Sequence, residues 1–586
     1  MGRWDLSVLY TGLDDPRFEN DMKELEGVIS DYTELSLAAA DMPHGELLLK
    51  YIDTSVKLNT IVSKLAIFCN LSYSANTKDV KSASALGKIM ALTSAVAGPS
   101  ALLSKVIAGY SDLDEVIAGN KTLSEYEYYL KNIKRDSKYL LSDKEEAVFA
   151  KMDISGAGAW SDLHSSLTSS LKVDYDGKTI TLSDVRNLAY DPDPVVRKKA
   201  YEAELAAYDG VKESVAFALN SIKLQVLSEC ELRGFESPLS KSLYNSRMKR
   251  ETLDALIGAI EEYLPVFHKY LRAKARALGY SDGLPWYDLF APMGKLDASF
   301  DVRGARDYLL DVFSRFDSEM HDLMKCAFDN KWIDFYPREN KVGGAFDCGI
   351  PTACESRVLT NFDGSFSSVL TLAHELGHSF HDRMVSSHSI INQDYTMPVA
   401  ETASTFNEVM VMETAIAGAK MNEERLALLE SELMETTQII CDIYSRYRFE
   451  ASVFEHRPDE FMNADRLSEL MLEAQELGYG DGLDKTLRHP FMWLCKGHYY
   501  SGGLSFYNYP YAFGGLFARG LYSKYKEEGK DFVPTYKAML RATSLLDVED
   551  AAKIAGADLT DINFWRAGLK GIAEKIEQYC VLVTEK

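Results

Sequence analysis

The 586-residue chain is short of positive charge: 64 Lys and Arg stand against 88 Asp and Glu, a formal net charge of −24 at pH 7. Nucleic acids and anionic membrane surfaces attract the opposite sign, so neither is an expected partner. Paired cysteines are also missing. The eight cysteines, at 69, 230, 326, 348, 354, 441, 495 and 580, form no C-x-x-C, which excludes a zinc knuckle and a disulfide framework. Cys348 and Cys354 are the one close pair and read as reduced. The most apolar stretch, Ile89 to Leu103, is interrupted by Gly98-Pro99 and reads as too short to span a bilayer. At the N-terminus, Met1-Gly-Arg-Trp-Asp-Leu-Ser7 carries no apolar signal region, and Leu6 stands where a myristoylation signal needs Ser or Thr. The expectation is a soluble, cytoplasmic protein. No fixed-period repeat or low-complexity tract is visible.

What is present is ordinary globular composition, 46% hydrophobic and 26% charged, in a chain too long for one simple core. From Phe18 to about Ala150 the apolar periodicity is helical, as in Met22–Tyr32, Glu46–Ser72 and Asp79–Ser94, and predicts an antiparallel helical bundle. Val173 to Thr181 instead reads as a β-hairpin around Asp176-Gly177, with Ser183 opening the next helix. Asp191-Pro-Asp-Pro194 is punctuation, which divides the chain into residues 1–190 and 191–586. Helices resume until Ile333–Phe362, where alternation predicts a small antiparallel sheet. An edge of that sheet either accepts a peptide strand or is covered. The fold class expected is mainly α.

Directly after this sheet lies the stretch with the clearest chemistry, Phe366 to Arg383. It contains H-E-x-x-H, formed by His374, Glu375 and His378. Residues four apart share one helical face, so both imidazoles address the same point, the beginning of a zinc site. Glu375 projects beside His374, placed to take a proton from water activated by the metal. Leu372, Leu376 and Phe380 make an apolar stripe on another face, and Ser367 or Ser368 is positioned to cap the helix start. An interior Gly377 costs about 1 kcal/mol relative to Ala, so its smallness implies that another segment or the substrate comes close.

A catalytic zinc needs a third protein ligand. His381, Asp382, His388, Asp394, Glu401 and Glu408 are the candidates downstream. Three ligands on one straight helix surround an ion poorly, which disfavours His381. No glycine lies between Phe380 and Ser386, which excludes a metzincin turn. Glu401 is favoured, because Thr396 and Pro398 mark the start of a second helix that returns to the first. Glu408, seven residues on, shares its face and can hold the outer nitrogen of a ligand histidine; Asp382 is a second candidate for that task. An oxyanion also needs donors, and the glycine-flanked loop from Lys496 to Gly515 offers His498, Tyr507, Tyr509 and Tyr511.

Taken together the residues resemble the oligoendopeptidase F family, within the thimet-oligopeptidase-like zinc peptidases. The matching pieces, in order, are Trp4-Asp-Leu-Ser-x-Leu-Tyr10, Val195-Val-Arg-Lys-Lys-Ala-Tyr201, and Asn361-Phe-Asp-Gly with Thr371-Leu-Ala-His-Glu-Leu-Gly-His378. Glu401-Thr-Ala-Ser-Thr-Phe-Asn-Glu408 and the tyrosine loop from His498 to Gly514 follow. The resemblance implies two helical lobes around a deep channel that admits flexible oligopeptides. It implies one zinc ion per chain on His374, His378 and Glu401, with Glu375 as general base. His498 and a loop tyrosine, Tyr511 or Tyr509, would bind substrate and steady the oxyanion. Ser505-Phe-Tyr stands where the family has Pro-Phe-Tyr, which leaves the loop geometry open.

Two other function classes fit the residues less well. An inactive peptide-binding protein would lack a ligand or the base, and neither is missing. A zinc aminopeptidase would carry a Gly-x-Met-Glu-Asn anchor for the free amino group, and the chain has none. Carboxypeptidase action on the same site depends on channel shape.

Overall fold

Long apolar-periodic segments become long helices, and almost all regular structure here is helical. In the computed structural model the described residues are 2–296 and 299–584. Helix Pro16–Ala38 starts where Asp15 accepts a hydrogen bond from the Arg17 amide and proline takes the first turn. It packs on His44–Ala75, and Val80–Ser94 and Ala97–Ala108 lie against this pair. Their buried side chains, among them Leu25, Leu47, Leu65, Ile89, Leu103 and Ile107, form one apolar cluster that extends to Leu130.

The apolar stretch is interrupted at Ala95-Val96, between Val80–Ser94 and Ala97–Ala108, rather than at Gly98-Pro99. Pro99 falls in the first turn of Ala97–Ala108, where its missing amide costs nothing. Taken across that break, Val80–Ala108, of mean hydropathy 1.4 over its best window, is long and apolar enough to cross a membrane by length and composition only.

The hairpin forms with β1 (Lys172–Tyr175) paired to β2 (Lys178–Thr181). Asp176 and Gly177 both take positive φ, 49° and 72°, as a two-residue turn of this hand requires. The next helix is capped by Thr181 rather than opened by Ser183. Thr181 and Asp184 exchange side-chain and backbone hydrogen bonds in a capping box.

The second sheet is mixed, not purely antiparallel. β4 (Phe346–Ile350) and β5 (Glu355–Leu359) are antiparallel, but β3 (Ile333–Asp334) runs parallel to β5 on its far side. The chain leaving β3 crosses to the opposite edge before β4 begins. Buried Asp334 anchors that crossover, accepting from Arg338 at 2.5 and 2.9 Å and meeting the Lys341 ammonium at 2.8 Å. This order leaves β4 as an outer strand beside helix Phe366–Val385. A second, larger apolar cluster surrounds that helix and reaches from Ala157 to Tyr579, while Ile350, at the end of β4, belongs to the first. The sheet thus stands where the two clusters meet.

Candidate metal centre

Helix Phe366–Val385 starts one turn after Asp363-Gly364. Its cap is Ser365, whose hydroxyl accepts from the Ser368 amide at 3.2 Å; Ser367 and Ser368 lie inside the first turn. Leu372, Leu376 and Phe380 are fully buried, which fixes the rotation of the helix and turns His374 and His378 toward the opposite side. A Cβ on Gly377 would stand 2.5 Å from the Ser404 Cα and 2.6 Å from the Ala403 carbonyl oxygen. The expected close approach is therefore that of the neighbouring helix, Thr402–Gly418.

Glu401 occupies the break between the helical turn Met397–Ala400, with Pro398 in its first positions, and that neighbouring helix, for which it is the N-cap residue. Its carbonyl accepts from the Thr405 amide, while its side chain is free to turn to the histidines. The Glu401 Oε2 lies 3.3 Å from His374 Nε2 and 3.4 Å from His378 Nε2, and the two imidazole nitrogens are 3.2 Å apart. Among the described residues these three form the one group suited to hold a metal ion. A tetrahedral ion with bonds of about 2.0–2.1 Å to such donors needs them roughly 3.3–3.4 Å apart. The near-equilateral triangle meets that requirement.

Neighbouring groups hold the donors in place. His374 Nδ1 is 2.9 Å from Glu408 Oε1, which fixes Nδ1 as the protonated nitrogen and leaves Nε2 to face the centre. The Ser404 hydroxyl donates to Glu401 Oε2 at 2.8 Å, and Asn407 ties the two helices by donating to the Ala373 carbonyl at 3.1 Å. Burial disfavours charge on His374, but Glu408, Glu375 and Glu401 outweigh it and draw the imidazole up to about 9. Burial likewise opposes ionisation of Glu401, yet His378, His374 and Ser404 bring it down to about 2. The cluster is poised to carry positive charge.

Glu375 is buried, and burial, helped by Glu401, raises its carboxyl against the opposing pull of both histidines. The backbone amide of Asp347, in β4, donates to it. A carboxylate raised in this way is a better proton acceptor.

Asp382 has other partners than a ligand histidine. Its carboxylate accepts from the Tyr395 hydroxyl at 2.9 Å and adjoins Asp347, which accepts from Ser379 at 2.6 Å. Burial raises both carboxyls; the Asp382 charge raises Asp347 further, whereas hydrogen bonds from Tyr395 and Asp347 pull Asp382 back down. His381 turns to Thr543 at 2.8 Å and His388 to the Arg541 carbonyl at 2.9 Å, both away from the triangle.

The loop from Lys496 carries a row of rings, of which Tyr511 lies near enough to Glu401 to feel its charge. The His498 and Tyr507 rings are 5.5 Å apart, and Tyr507 receives the Tyr511 hydroxyl at 2.9 Å. Tyr511 is 38% exposed, one turn before Gly514, where an added Cβ would stand 3.0 Å from the Glu401 Cβ, so the missing side chain lets helix Tyr509–Glu528 pack closely on Glu401. Burial pushes the His498 imidazole down to about 3, with Arg446 and Lys496 adding to it, so the ring is neutral and its buried Nε2 has no partner. Tyr509 is not in this row. It is buried, with its hydroxyl 2.9 Å from that of Ser246 and 3.3 Å from that of Ser242. Sequence reasoning did not single out Ser404 or Asp347. Ser404, three residues after Glu401, was legible as a helical neighbour; Asp347 acts through its backbone and left no side-chain signal.

Comparison with known proteins adds what geometry alone does not. The model of peptidase family M3 matches residues 187–570, and an Oligopeptidase F model matches 109–172. The chain belongs to peptidase family M3. Oligopeptidase PepF of Bacillus subtilis is 27% identical to this M3 peptidase over 77% of the chain and 68% of its own length. A Lactococcus lactis oligoendopeptidase F homolog is 24% identical over 99% of the chain and 97% of its own length. The same fold recurs in a Chlamydophila abortus protein of known structure, with a TM-score of 0.85 at 21% identity, covering 99% of this chain and 98% of that one. It recurs in oligoendopeptidase-F from Enterococcus faecium, with a TM-score of 0.71 at 18% identity over 97% and 99% of the two chains.

Proposed function

We propose that this M3 peptidase is a zinc-dependent endopeptidase that cuts internal bonds of short oligopeptides in the cytoplasm. The observation that carries the reading is the triangle of His374, His378 and Glu401 donors at zinc-ligand spacing, with buried Glu375 beside it. When bound there, zinc supplies a Lewis acid that polarises the scissile carbonyl and acidifies water. Glu375 takes the proton from the attacking water and delivers it to the leaving amine. Glu408 keeps His374 in the tautomer and orientation that a ligand needs. In this reading His498, Tyr507 and Tyr511 donate to the developing oxyanion, and their grouping in one row supports it.

The outer strand β4 supports a substrate pose. An extended peptide added along its free side runs past Glu375, to which the Asp347 amide already points. With the N-terminal helices of the first cluster, up to Leu130, as the facing wall, such a groove favours flexible chains over folded proteins. Cleavage of an internally quenched peptide of about ten residues tests the reading. Activity that disappears on chelation and returns with zinc supports it; cleavage indifferent to chelation, or confined to terminal residues, refutes it.

A further inference from the structure

Behind the segment that carries His498 lies a second cavity, of about 330 Å³, lined by side chains that the proposed reaction does not use. Its walls include the flat faces of Tyr190, Trp286 and Phe290. Four charged residues reach it. Arg197 is spent on buried Asp288, at 2.7 Å. Arg186 and Glu204 neutralise each other at 2.7 Å, and Glu204 also accepts from Tyr208 at 2.7 Å. Lys496 remains. Among the described residues no hydrogen bond or ion pair reaches its half-buried ammonium, and burial with Arg446 nearby lowers its affinity for the proton. Beside it His489, only 1% exposed, lines the cavity; its Nε2 faces Glu204 Oε1 at 3.3 Å and its Nδ1 has no partner.

Asp442 favours the charge on Lys496 but makes no contact with it; a partly buried cation with no group in contact to balance it is costly, and a buried polar atom without a partner adds to that cost. An anion in the cavity would relieve both, and aromatic walls suit a flat apolar body attached to it. We propose that this cavity binds a small aromatic anion, a carboxylate or a phosphate ester, with Lys496 as its counter-charge. Lys496 is two residues from His498, so an occupant also fixes the segment that carries that imidazole.

The probes are phenylacetate and phenyl phosphate, with neutral phenylacetamide at matched ionic strength as control. They are titrated against the zinc-loaded full chain, following the melting temperature and tryptophan fluorescence. The expected result is a saturable rise in melting temperature with at least one anion, none with the amide, and a fluorescence change that Trp286→Phe removes without abolishing the thermal shift. Which anion acts distinguishes a carboxylate from a phosphate site. Lys496→Met removes no existing bond, so without ligand it should melt no lower than the parent, while anion affinity falls roughly tenfold or more. No saturable shift with either anion overturns the proposal. So does undiminished binding by Lys496→Met, which would place the anion elsewhere, on the zinc included.

Discussion

Glu408 reaches the centre only through His374, and its removal should show in metal affinity before fold. Glu408→Ala is expected to weaken zinc binding about 10- to 100-fold, measured against a competing chelator, while Glu408→Gln, which keeps an acceptor, should lose less. Its role was legible in the sequence because seven residues bring it back to the face of Glu401. The partners of Asp382 were not legible, since Tyr395 and Asp347 meet it through tertiary packing. His381 gives a prediction of opposite character. Burial holds its imidazole down to about 3, far below an unfolded value near 6.5. The unfolded chain therefore binds the extra proton between those values, and folding stability is full above pH 6.5 and falls as pH drops below it. His381→Phe keeps a ring stacked on Tyr395 and should flatten that fall by up to about 1.4 kcal/mol per pH unit, in denaturant titrations at pH 7 and 5.

At the level of elements, the site depends on how closely two helices approach. Gly377→Ala forces its Cβ against backbone atoms of the neighbouring helix, which cannot yield as a side-chain tip can. A stability loss of about 1–3 kcal/mol in chemical denaturation is expected, together with weaker zinc binding, because the displaced helix starts at Glu401. Hydrophobic periodicity and turn chemistry revealed the motif helix, the hairpin and the return of a second helix. Details set by competition between adjacent polar residues were misread: Ser365 caps where Ser367 or Ser368 was expected, and Thr181 where Ser183 was. The parallel placement of β3 depends on the Asp334 anchor, whose partners converge only in three dimensions.

On the scale of the whole molecule, the triangle joins segments that a local sequence reading treats separately: the helix after the sheet and the break before the next helix. Zinc that binds only this assembled arrangement should stabilise the fold, by about 2.7 kcal/mol at a hundredfold excess of free metal over its dissociation constant. Thermal melts with and without a chelator check this, and equal melting temperatures would contradict it. Mostly helical architecture followed from periodicity. The attachment of the β4 end to the N-terminal apolar cluster did not, because Ile350 gives no sign in sequence of which core it enters.

The central claim is that Glu375 moves the proton while His374, His378 and Glu401 hold the metal. Glu375→Gln, assayed on a quenched decapeptide with its zinc content measured in parallel, tests it most directly. Full zinc occupancy with cleavage reduced by a factor of at least about 10² is the predicted result. A variant that keeps its zinc and cuts as fast as the parent would contradict it.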